Sequence, residues 1–420
     1  MPILKHALWY KRRMPQHTEP APRLVLLTVT IERFKAAFKP GPVDLQPLNL
    51  LIGRNGSGKS TLLEALQWLD RTVRQDARTA SDRYFGAKDL TNVRGQKAWF
   101  RLKLVWRPED ALQTAAREVS YDVKVEAQDD GTPTIIGESL RVGQGKSAQV
   151  LIRTEPQSSG SPRRILFPND DARRYPFFEP DRLALSRGDR EDSMSPLAGI
   201  LRFFRDAVFL RLSPNRLADG SPAKRRSFDP LLDEEGQMLP ALLLELTPEQ
   251  RDELVTRIQD VLPGMKGVEI SSPAGRDTKV NYSLREQMPY KGRNGSKEFP
   301  IQSWMLSEGT RRITALFALL LHDPPPSLLC IEEVENGLDP LTTVGVLKAL
   351  QDAAIRGTQV LMTTHNPWLL DHVKSETVLL ARRPDGNTVY QKFAELPEVK
   401  AFAPDIPMGT RYVTFASEVL

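Results

Sequence analysis

The sequence predicts an α/β fold. It has a mostly parallel sheet with crossover helices, an antiparallel β subdomain and an inserted lobe of mixed, partly helical character. Three observations carry this. The last third alternates helix and strand patterns, with helix 308–321, strand 327–332, helix 340–355, strand 358–363, helix 367–372 and strand 376–381. Such alternation marks parallel strands joined by crossovers. Near the start, an apolar run at 48–52 enters a Gly-rich turn and then a helix expected over 59–73. Between these, residues 97–107 and 119–127 alternate polar and apolar, which reads as antiparallel strands with one wet face.

The remaining elements follow in order. Residues 24–31 (LVLLTVTI) read as a buried strand, and 43–45 as a short one. Residues 128–192 are dense in Gly, Pro, Ser, Asp and Arg and read as loop-rich. A helix is expected over 194–209. Another spans 247–262, where Thr247 caps, Pro248 sits in the first turn and Gln250 closes a capping box. Strands near 267–271 and 279–284 lead back to the last third. Prolines interrupt any heptad seam, and no repeat occurs. The expected division is a flexible basic arm at 1–23, a first part of the main domain at 24–127, an inserted lobe at 128–305, a second part of the main domain at 306–395 and a tail at 396–420.

Composition narrows the setting. With 40 % hydrophobic and 26 % charged residues, 420 residues suffice for a sizeable core. The net charge of +5 is compatible with an acidic partner without demanding one. The single cysteine, Cys330, rules out an intrachain disulfide or a multi-cysteine metal site, and favours the cytoplasm. No run of 18 apolar residues occurs, so no membrane partner is expected. Trp9, Tyr10, Lys11, Arg12 and Arg13 read as part of a solvated arm.

The strongest motif is Gly53-Arg54-Asn55-Gly56-Ser57-Gly58-Lys59-Ser60, followed by Thr61. It matches G-x-x-x-x-G-K-[ST] between a strand and a helix, the context such a loop requires. The glycines let backbone N–H groups turn toward a β-phosphate, and the helix N-terminus adds its positive end. Lys59 would bridge β- and γ-phosphate oxygens, and Ser60 would ligate Mg²⁺. Two decoys fail. Gly143–Ser147 has Leu140 where the first glycine must stand, and Gly292–Lys297 lacks the glycine before its lysine.

A second motif, Leu328-Leu329-Cys330-Ile331-Glu332-Glu333, is an apolar strand ending in two carboxylates. Alternation sends them in different directions. Glu332 is assigned to Mg²⁺ and Glu333 to the attacking water. The competing reading is a strand end with solvated acids.

At Leu306-Ser307-Glu308-Gly309-Thr310 the chain resembles the ABC ATPases, whose signature is usually written LSGGQ. Ser307 also reads as an N-cap able to take an anion. Ser307 and Gly309 match the signature, while Glu308 and Thr310 depart from the transporter form and look like the SMC/RecF-like branch. The resemblance implies an ABC ATPase head with a RecA-like sheet. It also implies that Ser307 and Gly309 contact the ATP of another subunit. Asn336-Gly337-Leu338-Asp339-Pro340 is similar to the D-loop of that family, with Asp339 near nucleotide. His365, in Thr363-Thr364-His365-Asn366, matches the switch histidine that senses γ-phosphate. The Q-loop glutamine, a metal contact, is best matched by Gln96 and less well by Gln67. IEEVENGLDP resembles the IEEPE-type run of compact bacterial ATPases related to RecF and OLD proteins, with Val334 for the usual proline and Asp339 for the frequent histidine. Arg211 to Arg216 share that look.

The resemblance therefore implies an ATPase using ATP and Mg²⁺, with Glu333, His365 and Lys59 catalytic. Gly53, Asn55, Gly56, Ser57, Gly58, Lys59, Ser60, Thr61, Ser307, Gly309 and Asp339 would bind nucleotide. Ser60, Glu332 and Gln96 would hold the metal. It would work as a homodimer or higher oligomer with ATP at the interface, in DNA repair or antiviral defence. No nuclease cluster is visible, so such an effector would be a separate polypeptide. Arg163-Arg164, Arg173-Arg174 and Lys224-Arg225-Arg226, with Tyr175, Phe177 and Phe178, form a candidate DNA-contacting set or simply a solvated surface. A transporter's nucleotide-binding subunit and a slow ATP sensor or scaffold are the alternatives.

Overall fold

The structure, a computed structural model, describes residues 23–111, 117–155, 163–166, 174–177, 179–187, 196–226, 229–271, 279–292 and 295–418. The expected arm lies almost wholly outside them. The chain begins with β1 (Leu24–Glu32), β2 (Pro42–Asp44), β3 (Leu48–Ile52), α1 (Lys59–Arg74) and α2 (Ala77–Asp82). It continues through β4 (Trp99–Pro108), β5 (Val119–Ala127), β6 (Pro133–Val142), β7 (Gln149–Glu155), β8 (Arg163–Leu166) and β9 (Arg174–Phe177). Next come α3 (Pro196–Arg205), β10 (Val208–Leu210), α4 (Pro214–Ala218), β11 (Ser221–Pro222), α5 (Leu239–Glu245) and α6 (Pro248–Val261). Then follow β12 (Met265–Ser271), β13 (Lys279–Gln287), β14 (Glu298–Gln302), α7 (Glu308–Leu321), β15 (Leu328–Ile331) and α8 (Pro340–Ile355). The chain closes with β16 (Gln359–Thr363), β17 (Val378–Arg382), β18 (Val389–Lys392), α9 (Pro397–Lys400) and α10 (Met408–Glu418).

The central sheet runs β10-β15-β16-β3-β17-β18 and is parallel except for its last strand. Strands β3, β15 and β16 are buried along their whole length, as a sheet covered on both faces requires. Alternate residues of each strand enter two separate cores. Leu51, Cys330 and Leu361 pack with Leu62 and Leu66 of α1, while Leu50, Ile331 and Met362 pack with residues of α7 and α8.

A second sheet, β2-β1-β4-β5-β6-β7-β8-β9, is antiparallel throughout. On β5 every second residue is buried. Phe100 of β4 meets Trp68 of α1 edge to face at 4.9 Å, which seats this sheet on the phosphate-loop helix. A third group, β11-β13-β12 with β14 on β13, lies within the insert.

Several local expectations change. Residues 128–192, expected to be loop-rich, supply β6 to β9 and extend the antiparallel sheet without a break. Buried Glu138 holds the following loop there, accepting from the Tyr121 hydroxyl and the Ala184 and Leu185 N–H groups. The helix expected over 194–209 stops at Arg205, and Val208–Leu210 becomes the edge strand β10. Pro367–His372 forms a short 3₁₀ turn capped by Asn366, not an α-helix. Residues 396–418 carry α9 and α10 where a tail was expected. Helix α10 is tied to Asp371, whose carboxylate accepts from Gly409 N–H at 2.8 Å. The α6 capping box forms as its sequence predicts. No helix among the described residues is long and apolar enough to cross a membrane.

Candidate active site

Three neighbouring strands deliver the site. Their order β15-β16-β3 sets Glu332 and Glu333, then Thr363 to His365, then the loop from Gly53, side by side at one sheet edge.

The loop from Gly53 is closed on itself. Lys59 Nζ donates to the carbonyls of Gly53 at 2.7 Å and Arg54 at 3.3 Å. Gly56 and Gly58 have φ of 75° and 101°, values that favour glycine. A Cβ on Gly58 would stand 2.5 Å from Thr388 Oγ1. Among the described residues, buried Ser57 Oγ has no hydrogen-bond partner, a polar group left for an anion's oxygen to satisfy. Burial lowers the Lys59 pKa, and Glu333 and Glu335 oppose that shift. Asn55 and Ser60 are exposed, and Thr61 is buried.

Glu333 sits in left-handed backbone at φ 52°, a conformation that costs a non-glycine residue on the order of 1 kcal/mol. Its N–H is fixed by Thr363 Oγ1 at 2.9 Å, and its carboxylate accepts from Asn336 Nδ2. His365 Nε2 lies 3.4 Å from Glu333 Oε1. The His365 backbone N–H donates to Glu335 Oε1 at 2.7 Å. Glu335 is thus a residue the sequence reading passed over. Its clue was a third acid two positions beyond Glu333.

Glu332 takes the other direction. Arg211 Nε stands 3.6 Å from its Oε2, and Ser60 lies near enough to draw its pKa down. Burial raises its pKa, Arg211 draws it down, Glu64 raises it, Ser60 lowers it and Glu234 raises it again. A serine hydroxyl and a neighbouring carboxylate are hard oxygen donors of the kind Mg²⁺ takes beside phosphate oxygens. The residues present fit that ion.

Gln96 is exposed in the turn before β4, and no hydrogen bond or ion pair among the described residues joins it to Ser60 or Glu332. Gln67 is buried on α1 and donates to Glu234 at 3.0 Å. Neither glutamine stands beside Glu332; the side chain that does is Arg211.

Ser307 caps α7, accepting from Thr310 N–H at 3.1 Å. A Cβ on Gly309 would lie 2.7 Å from the Gly337 carbonyl, so the start of α7 and the turn before α8 pack backbone to backbone. Asp339 caps α8, and its carboxylate accepts from the Thr342 hydroxyl and from the Thr342 and Leu341 N–H groups, which lowers its pKa. Trp304, Met305 and Leu341 beside these two helix ends are 60 %, 68 % and 83 % exposed. Of the basic clusters, Arg225 is paired with Glu245. Arg173 and Phe178 fall outside the described residues, as do the side chains of Arg163, Arg164, Arg174, Tyr175 and Phe177.

Fold and site together define a P-loop ATPase of the compact SMC/RecF-like kind. The chain belongs to the family described as "AAA domain, putative AbiEii toxin, Type IV TA system", whose model matches residues 48–371. Among solved structures it is similar in fold to an SMC head bound to the C-winged helix domain of ScpA, with 13 % identity and a TM-score of 0.52 over 87 % of this chain and 96 % of that one. An SMC head with coiled coil and joint from Pyrococcus yayanosii gives 10 % identity and a TM-score of 0.55 over 94 % and 100 %. In sequence it is 35 % identical over 91 residues to ABC transporter G family member STR2 of Medicago truncatula, covering 20 % of this chain and 11 % of that protein. ABC transporter G family member 6 of Arabidopsis thaliana gives 32 % over 118 residues, 27 % of this chain and 16 % of that one. The chain therefore spans only a small part of these curated relatives.

Proposed function

We propose that the protein binds ATP with Mg²⁺, hydrolyses it to ADP and phosphate, and uses the cycle as a dimerisation switch. The observation that carries the reading is a division of labour. Lys59, Glu333 and His365 converge at one sheet edge, while Ser307 spends its hydroxyl on Thr310 beside exposed Trp304, Met305 and Leu341. A second subunit would bring its Ser307 and the N-terminus of α7 to the γ-phosphate.

In the reaction, Lys59 and the loop N–H groups hold the β- and γ-phosphates. Ser60 and Glu332 would hold Mg²⁺, which supplies charge neutralisation when bound. Glu333 accepts a proton from water as its oxygen attacks the γ-phosphorus. The bond to the β–γ bridging oxygen breaks, and ADP leaves. His365, next to Glu333, orients that carboxylate and senses the γ-phosphate.

The biological setting we infer is DNA-related work or defence against phage, in the cytoplasm, with a separate effector such as a nuclease. The family's description as a toxin of a toxin–antitoxin system supports a toxic or defensive outcome. The likeness to an SMC head in complex with a ScpA domain supports a protein partner. The test is gel filtration of Glu333→Gln with ATP and Mg²⁺, where a stable dimer is expected. A monomer under both nucleotide-free and ATP-bound conditions overturns the switch.

A further inference from the structure

We propose that Arg211 is a positioning residue that holds the Glu332 carboxylate until magnesium replaces it, and so sets how much magnesium the site requires. The inference rests on the ATPase reading above.

Strands β10 and β15 pair in parallel with Leu210 opposite Ile331, so Arg211 and Glu332 leave the sheet together. The pairing is fixed from both sides. Glu332 N–H donates to the Leu210 carbonyl at 2.9 Å, and Arg211 N–H donates to the Glu234 carbonyl at 2.8 Å. The Glu234 carboxylate is itself anchored by Gln67 at 3.0 Å and Arg71 at 2.8 Å. The Arg211 backbone is thereby immobilised while its side chain stays 70 % exposed and reaches Glu332 at 3.6 Å.

The charges around Glu332 are divided among partners. Glu64 is taken by Lys35 at 2.6 Å, and Glu234 by Arg71 and Arg83. Among the described residues, Arg211 is the only basic side chain within ion-pair distance of Glu332. It pulls on Oε2 of a carboxylate that also lies near Ser60 of the phosphate loop.

A guanidinium in this place acts on a divalent ion in two ways of the same sign. It competes for the carboxylate oxygen, and it repels the ion through space. Removing it therefore makes magnesium bind more easily, an outcome that damage to the fold cannot produce. Its exposure means the fold does not depend on it.

The experiment titrates Mg²⁺ into protein with a fluorescent ATP analogue and reads the concentration for half-maximal nucleotide binding. Arg211→Ala is expected to lower that concentration about three- to tenfold, an effect set by the loss of one nearby charge. Arg211→Lys keeps the charge and is expected to stay within about twofold of wild type. In a Glu332→Gln background, Arg211→Ala is expected to shift it much less, because the competed oxygen pair is gone. Melting without nucleotide should be the same for wild type and Arg211→Ala. An Arg211→Ala protein whose magnesium requirement is unchanged or raised overturns this proposal and leaves the ATPase reading intact. Wild-type protein that binds ATP with no dependence on magnesium overturns that reading, and this proposal with it.

Discussion

His365 Nε2 stands 3.4 Å from Glu333 Oε1, and the two side chains rise from adjacent strands of one parallel sheet. Glu333 is also locked through its backbone by Thr363, two residues before that histidine. Carboxylate, histidine and backbone support thus stand just past the ends of two paired strands. Glu333→Gln is expected to keep ATP binding and lower hydrolysis about 10²–10⁴-fold, the usual contribution of a general base. Single-turnover phosphate release, with nucleotide binding alongside, measures both.

Lys59 lies inside its own loop, with burial holding its ammonium below the ordinary lysine range. Lys59→Ala is expected to weaken ATP far more than it changes melting, since the lysine bonds only to carbonyls of the loop. Equilibrium nucleotide binding and thermal melting of the apo protein separate the two effects. Wild-type affinity in this variant would remove the phosphate loop from the mechanism.

Gly58 combines φ 101° with a wall at Thr388. Gly58→Ala adds left-handed backbone strain on the order of 1–2 kcal/mol to that collision. A lower melting temperature together with weakened ATP binding is the expected outcome.

Leu341 is 83 % exposed at the first turn of α8, beside the packed glycines Gly309 and Gly337. Leu341→Arg is expected to leave monomer stability within about 0.5 kcal/mol, as exposed substitutions usually do. The ATP-dependent dimer formed by Glu333→Gln should be lost when Leu341→Arg is added. Analytical ultracentrifugation of the double variant decides it.

Asp70 is buried on α1 against Arg74, and burial pushes its carboxyl up to about 6 despite that partner. A carboxyl raised in the folded state binds its proton more tightly there than when unfolded. Its charged form is therefore a cost, absent below about pH 4 and fully present above about pH 6. Stability from this group falls as pH rises through that window. Asp70→Asn is expected to flatten the pH 4–6 slope of melting temperature, and Arg74 keeps the carbonyls of Phe204 and Ala207 as acceptors.

The parallel half of the fold is legible in the sequence because its strands are continuous apolar runs that end in recognisable chemistry. Ile331 runs into two acids, and Ile52 runs into glycine. Strand β10 is not legible. Phe203, Phe204 and Val208–Leu210 form one apolar stretch around a charged pair, and periodicity alone merges the strand with α3. That merger hides Arg211, because a residue read as following a helix gives no reason to look beside Glu332. The Gly- and Pro-rich insert conceals β6 to β9 for a different reason. Each strand pairs with the next in sequence, but turn-forming residues crowd the pattern between them, and the tie from buried Glu138 to Ala184 and Leu185 leaves no local signature.

The hairpin of β17 and β18 forms the rear wall of the phosphate loop. Thr388 Oγ1 donates to the Ser57 carbonyl at 3.0 Å, the Tyr390 hydroxyl donates to the Gly58 carbonyl at 2.8 Å, and Gly53 has no room for a side chain against the Ala381 carbonyl. In a genetic screen for loss of nucleotide binding, alleles would therefore gather in two distant places. One group would fall within Gly53 to Thr61. The other would fall between Ala381 and Tyr390, among residues that touch no nucleotide, and would be mistaken for a second site unless mapped onto this wall.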